Sequence, residues 1–215
     1  QNKLSSIVLH ADNTPDSLAC FRVLAARGLS EHFNVNWDGT IYQFLDVKDL
    51  AIHAGNFNST SIAITLNNLM KNLRNKKYQP AAKHMYRDTS RMWDGREYGS
   101  LSPEERRRYQ RRIFPADKPF MRLDNGARVR AYGYTDAQYA SLIQLSAVLV
   151  RLFPKIKPQA PFLPKKGIDR GLVPEATVRG GGIFAHWHLS EQRWDPGPGL
   201  EWRRLDTGLR KALQR

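Results

Sequence analysis

A chain of 215 residues with a hydrophobic fraction of 41%, including 9 Phe, 8 Tyr and 5 Trp, can build a real core, which excludes disorder and suits one domain with insertions. Its single Cys excludes a disulfide framework, and no apolar run reaches the length needed to cross a bilayer. The net charge of +14 is uneven: between Lys71 and Arg130, 17 Lys and Arg face 7 Asp and Glu, a net +10, which fits either a solvated basic face or attraction to a polyanion, with no nucleic-acid-binding signature beside it.

The apolar run at residues 5–10 predicts a buried strand ending in His10. Residues 16–27 predict a helix capped by Asp16 or Ser17 and closed at Gly28, with Cys20 on its buried face rather than acting as a nucleophile. Two short runs around Asp38-Gly39 predict a hairpin. Residues 61–66 alternate, which predicts a strand with Ile62, Ile64 and Leu66 on one face. From 67 to 134 periodicity weakens, and a basic insertion (about 71–134) of loops with one short helix is expected. That helix is capped by Ser102, opened by Pro103 and followed by arginines. Thr135-Asp136 caps a helix over 137–153. Residues 154–182, rich in Pro, Lys and Gly, predict connecting structure, and Ile183-Phe184-Ala185 a strand delivering His186.

The chemistry concentrates at the two ends of the chain. His186 and Asp195 stand nine residues apart, the second fixed by the turn Asp195-Pro196-Gly197-Pro198, and His10 closes the first strand. Two His and one Asp, with a fourth position left to water, is the ligand count of a catalytic zinc site, whereas a structural site would need more Cys than this chain has. On a strand His186 and His188 share one face, so either can serve as the ligand.

Four blocks carry a family resemblance: Ile7-Val8-Leu9-His10; Ser30-Glu31-His32-Phe33 through Asp38-Gly39-Thr40-Ile41-Tyr42-Gln43; His53-Ala54-Gly55 through Ser61-Ile62; and Phe184-Ala185-His186 through Arg193, Asp195-Pro196-Gly197-Pro198 and Trp202. In this order they resemble the zinc-dependent N-acetylmuramoyl-L-alanine amidases of type 2, relatives of the peptidoglycan recognition proteins. The resemblance implies an α/β fold, a central mixed β-sheet flanked by helices, in a single domain over 1–215. It implies Zn2+ held by His10, His186 and Asp195, and peptidoglycan or muropeptides as substrate. Arg193 stands at the family's Lys position, suited to stabilise an oxyanion. His53, Asn56, Thr65 and His188 are expected on the substrate side, His32 is expected packed behind the hairpin, and His84 receives no role.

One departure matters. Many members carry a general-base Glu on the central strand, where this chain has Thr65, and a hydroxyl cannot act as a base at neutral pH. Other branches place a Tyr just before the hairpin's His-Phe pair, and here that position is Glu31. Glu31 is therefore expected to replace the missing acid; the alternative is a non-catalytic or weakly catalytic peptidoglycan-binding protein on the same fold. The basic insertion is expected to meet anionic cell-wall polymers, and Trp37, Trp93, Trp187 and Trp194 to offer stacking faces, with Trp202 in the core. A wall substrate implies a periplasmic or secreted location; no secretion signal is legible in the chain as given.

Overall fold

The computed structural model describes residues 3–14, 16–68, 70–72, 102, 121–164 and 166–215. The basic helix expected from 102 onward falls almost wholly outside the described residues, as do His84 and Trp93. In chain order the first half holds β1 (Ser6–Ala11), α1 (Ser17–Ala26), β2 (Phe33–Val35), β3 (Ile41–Gln43), β4 (Ser61–Leu66) and β5 (Met70–Asn72). The second half holds β6 (Met121–Arg122), β7 (Arg128–Ala131), α2 (Asp136–Leu152), β8 (Phe162–Leu163), β9 (Gly167–Ile168), α3 (Glu175–Arg179), β10 (Gly182–Ala185) and α4 (Trp202–Leu213).

A strand made of consecutive apolar residues must be covered on both faces, and β1 is. It pairs in parallel with β10 on one edge and β4 on the other, within a five-stranded sheet of order β10-β1-β4-β2-β3. Only β3 runs antiparallel, closing the hairpin with β2. Alternation along the strands sorts the side chains by face. Ile7, Leu9, Ile62, Ile64 and Ile183 join the main core with Leu142 and Leu149 of α2 and Leu205 and Leu209 of α4. Val8 and Phe184 point the other way, against Phe57, Val173 and Val178. His10, two residues beyond Val8, and His186, two beyond Phe184, lie at the end of that second face. β4 is buried throughout rather than on alternate residues, because it is a central strand.

Helix α1 is capped by Asp16, whose side chain accepts from Ala19 N, and α2 opens with a complete capping box between Thr135 and Gln138. The insertion departs from expectation at its roots. β5, β7 and β6 form a three-stranded antiparallel sheet, so residues 70–72, 121–122 and 128–131 are strands rather than loops. The 154–182 connection likewise contains the β8-β9 hairpin and α3.

Candidate metal centre and catalytic groove

His10 leaves the sheet where β1 ends, opposite Thr65 of β4. β10 stops at Ala185, and His186–His188 coil into a 3-10 turn instead of continuing as strand. The turn separates the two histidines that a strand would have kept on one face. Nδ1 of His188 accepts from Ala185 N (2.9 Å) and its Nε2 meets the Asp169 carbonyl (2.9 Å), in a fully buried position that pulls its pKa down to about 4. The expectation of His188 as ligand or substrate contact is thereby corrected: it pins the turn. Trp187 Nε1 donates to the same carbonyl (3.1 Å), which leaves His186 alone facing outward.

Asp195 is brought back to His186 by a loop that is itself braced. His186 N donates to the Asp195 carbonyl (3.1 Å), and Tyr134 Oη donates to the carbonyl of Pro196 (2.9 Å). Gly197 adopts a left-handed φ of +72°, and a Cβ there would meet Met70 Sδ at 2.7 Å, so the second sheet packs directly on this loop. Asn125, between β6 and β7, adds two bonds to the carbonyls of Glu191 (2.7 Å) and Arg193 (2.9 Å). The roots of the insertion thus hold the second half of the site.

The result is a triangle. His10 Nδ1 lies 3.0 Å from His186 Nδ1 and 3.2 Å from Asp195 Oδ2, and His186 Nδ1 lies 3.1 Å from the same oxygen. Among the described residues this is the one group of three such side chains whose ligand atoms converge. A tetrahedron with metal–ligand bonds of about 2.0–2.1 Å has edges of about 3.3 Å, so the three atoms fit zinc with little adjustment. Their protonation fits as well. Burial first, then His186, brings His10 down to about 4, and the Arg193 guanidinium adds to this. Burial alone would raise the Asp195 carboxyl, but the two imidazoles outweigh it and hold it well below the usual carboxylate range. A neutral His10 imidazole and an ionised Asp195 carboxylate are forms that bind a cation.

A groove of about 470 Å³ opens from this triangle. One wall is α1, with Cys20, Val23 and Leu24; Arg27, Ile52 and His53 lie further along, and Arg193 and Trp194 flank the ligands. Glu31 lies in it, 3% exposed. Its carboxylate accepts from Thr65 Oγ1, from Asn34 Nδ2 (2.8 Å) and from Cys20 Sγ (3.7 Å). Burial pushes its pKa up to about 7, with the nearby Asp12 charge assisting and the Thr65 and Asn34 bonds opposing. Thr65, where an acid was expected, thus holds by its hydroxyl the acid that comes from the segment leading into β2.

The remaining expected residues divide. Arg193 is exposed and lines the groove. His53 lines it too, but both ring nitrogens are engaged, with His10 Nε2 (3.0 Å) and Ser61 Oγ (3.2 Å), so it has no polar atom left for a substrate. Asn56 is exposed on a turn away from the groove, correcting its expected role there. His32 is buried, joining Asp49 O (3.1 Å) to Ala63 N (3.0 Å). Trp187 and Trp202 are both core residues, so the stacking face expected of Trp187 is closed off; of the described tryptophans Trp194 lines the groove. Asp12 is a groove residue that the sequence did not single out. Burial pushes it up to about 6, against bonds from Thr14 and Asn67. Its signal was the Asp12-x-Thr14 spacing of a side-chain-capped turn.

A family model described as N-acetylmuramoyl-L-alanine amidase matches residues 1–110. Among solved structures the chain is similar to AmpDh3 from Pseudomonas aeruginosa in complex with anhydromuramic pentapeptide, at 17% identity and a TM-score of 0.52, over 96% of this chain and 60% of that one. It is similar to a second AmpDh3 structure at 17% identity and a TM-score of 0.55, over 96% and 59%. The chain therefore spans about three fifths of the length of these structures, and at this identity the likeness is one of fold. No curated protein matches the chain. With 110 of its 215 residues covered by the family model, the chain belongs to the N-acetylmuramoyl-L-alanine amidase family.

Proposed function

We propose that this protein is a zinc-dependent amidase that hydrolyses the bond joining the lactyl group of N-acetylmuramic acid to L-alanine, in peptidoglycan or its fragments. The observation that carries this reading is the His10–His186–Asp195 triangle, with edges of 3.0–3.2 Å, opening onto a groove that also holds Glu31. The anhydromuramic pentapeptide in the AmpDh3 complex supports a muropeptide as the ligand class.

His10, His186 and Asp195 would hold the ion. Zinc, when bound there, lowers the pKa of its water toward about 7 and polarises the carbonyl to be attacked. Glu31 takes the proton of the attacking water and returns it to the departing amine, since a pKa of about 7 suits both transfers. Thr65 and Asn34 orient the carboxylate for this. Arg193, on the groove wall beside Asp195, faces the carbonyl oxygen as it gains negative charge. The net +10 of residues 71–130 supports retention on anionic wall polymers, and a wall substrate supports a periplasmic or secreted location.

Digestion of purified sacculi by the zinc-loaded protein, read by mass spectrometry beside Asp195→Ala, tests the reading. Stem peptides beginning at L-alanine are expected from the parent and not from the variant. Sacculi that retain the protein yet stay intact would instead make it a binder.

A further inference from the structure

The groove contains a histidine that cannot ligate the metal and has no polar atom to offer a substrate, and its hydrogen bonds have a direction. The Phe57 carbonyl has only lone pairs, so Ser61 Oγ must donate to it (2.7 Å). With its one hydrogen committed, Ser61 Oγ can only accept from the His53 ring, 3.2 Å away, which puts the ring hydrogen of His53 on Nε2. Nδ1 of neutral His53 is then bare, and 3.0 Å away His10 Nε2 must donate to it. A neutral His10 protonated at Nε2 presents its Nδ1 lone pair, and that atom is the one facing His186 and Asp195.

The direction therefore originates in a backbone carbonyl and ends at a ligand atom. The backbone around His53 is fixed as well: His53 N (3.0 Å) and Ala54 N (2.6 Å) both donate to Asn58 Oδ1, and the turn Gly55–Phe57 closes the path back to Ser61. The rings of His10 and His53 meet edge to face, with centroids 5.1 Å apart, so a rotation of His10 would break the bond and strike its neighbour.

We propose that His53, oriented by Ser61 and the Phe57 carbonyl, is a positioning residue that selects the Nε2–H tautomer of His10 and aims its Nδ1 at the metal. This rests on the zinc reading above. A residue in this place is worth about 10–100-fold in metal affinity.

The test is zinc affinity, measured by competition with a chromophoric chelator, for the parent, His53→Leu, His53→Gln and Ser61→Ala. His53→Leu should bind zinc about 10–100-fold more weakly. His53→Gln should recover most of the loss, because its amide can accept from His10 and donate to Ser61, which mere filling of space would not explain. Ser61→Ala should weaken binding less. Long-range 1H–15N NMR of the zinc-loaded parent, which needs no variant to fold, should show His10 protonated at Nε2. Zinc binding by His53→Leu equal to the parent's, or a His10 protonated at Nδ1, overturns the proposal and leaves the zinc reading standing. A parent that binds no zinc overturns the zinc reading itself.

Discussion

Glu31 is a carboxyl kept out of water by α1 and β4, and its titration follows from that. An unfolded Glu titrates near 4.5 and this one near 7, so the folded state holds the proton more tightly than the unfolded state. Its contribution to stability is complete below about pH 4.5 and is lost as pH rises through about 7. Glu31→Gln removes the ionisable group, and should make the protein more stable than the parent at pH 8, by an amount on the order of 2 kcal/mol once the amide's poorer match to Asn34 is discounted. The gain should vanish at pH 5; denaturation midpoints at both values check it. The same variant should retain zinc and lose turnover, and the parent's rate should rise through pH 7 as Glu31 ionises. Survival of activity in Glu31→Gln would remove it from the mechanism. Single residues were legible where their place was set by the end of a strand, as for His10, or by a rigid turn, as for Asp195. His188 was misjudged because two residues after a strand were assumed to continue it, whereas the chain coils and buries the ring. The partnership of Thr65 with Glu31 joins positions 34 residues apart, one on β4 and one in the segment before β2, a distance no local pattern encodes.

At the scale of elements, the helix signals with a physical cap were the dependable ones. Thr135 both caps α2 and donates through Oγ1 to Trp37 O (2.7 Å), tying the helix to the hairpin loop. Thr135→Ala should cost about 1–2 kcal/mol, seen as a lower urea midpoint with unchanged slope, while Thr135→Ser should retain most of it. Helix α4 was illegible for the converse reason. Its N-cap position, Glu201, makes no side-chain capping bond, and Gly208 sits in its middle as a nominal breaker. That glycine is there for packing: a Cβ would meet Ile143 Cδ1 at 2.3 Å, so its absence lets α4 approach α2. The second sheet was hidden by brevity, since β6 has two residues and β5 three, although Arg128-Val129-Arg130-Ala131 alternates as a strand should.

On the scale of the molecule, a metal that joins β1 to the loop after β10 should act as a clamp. Saturating zinc at about 100 times its dissociation constant adds about 2.7 kcal/mol to the folded state, or about 5–10 °C in a chain of this size. Thermal scans with zinc and with chelator should show that difference for the parent and none for Asp195→Ala. No helix among the described residues is long and apolar enough to cross a membrane. The sheet order carries one more consequence. His10 and His186 are separated by 176 positions, and β1 acquires its β10 edge only from the far end of the chain. Closing such a loop costs on the order of 4–5 kcal/mol of chain entropy, offset only when β10 docks. A nascent chain that has not yet emerged past His186 holds one residue of the triangle, and one that has not reached Asp195 holds two, so the triangle closes only once the loop after β10 has followed its strand into place.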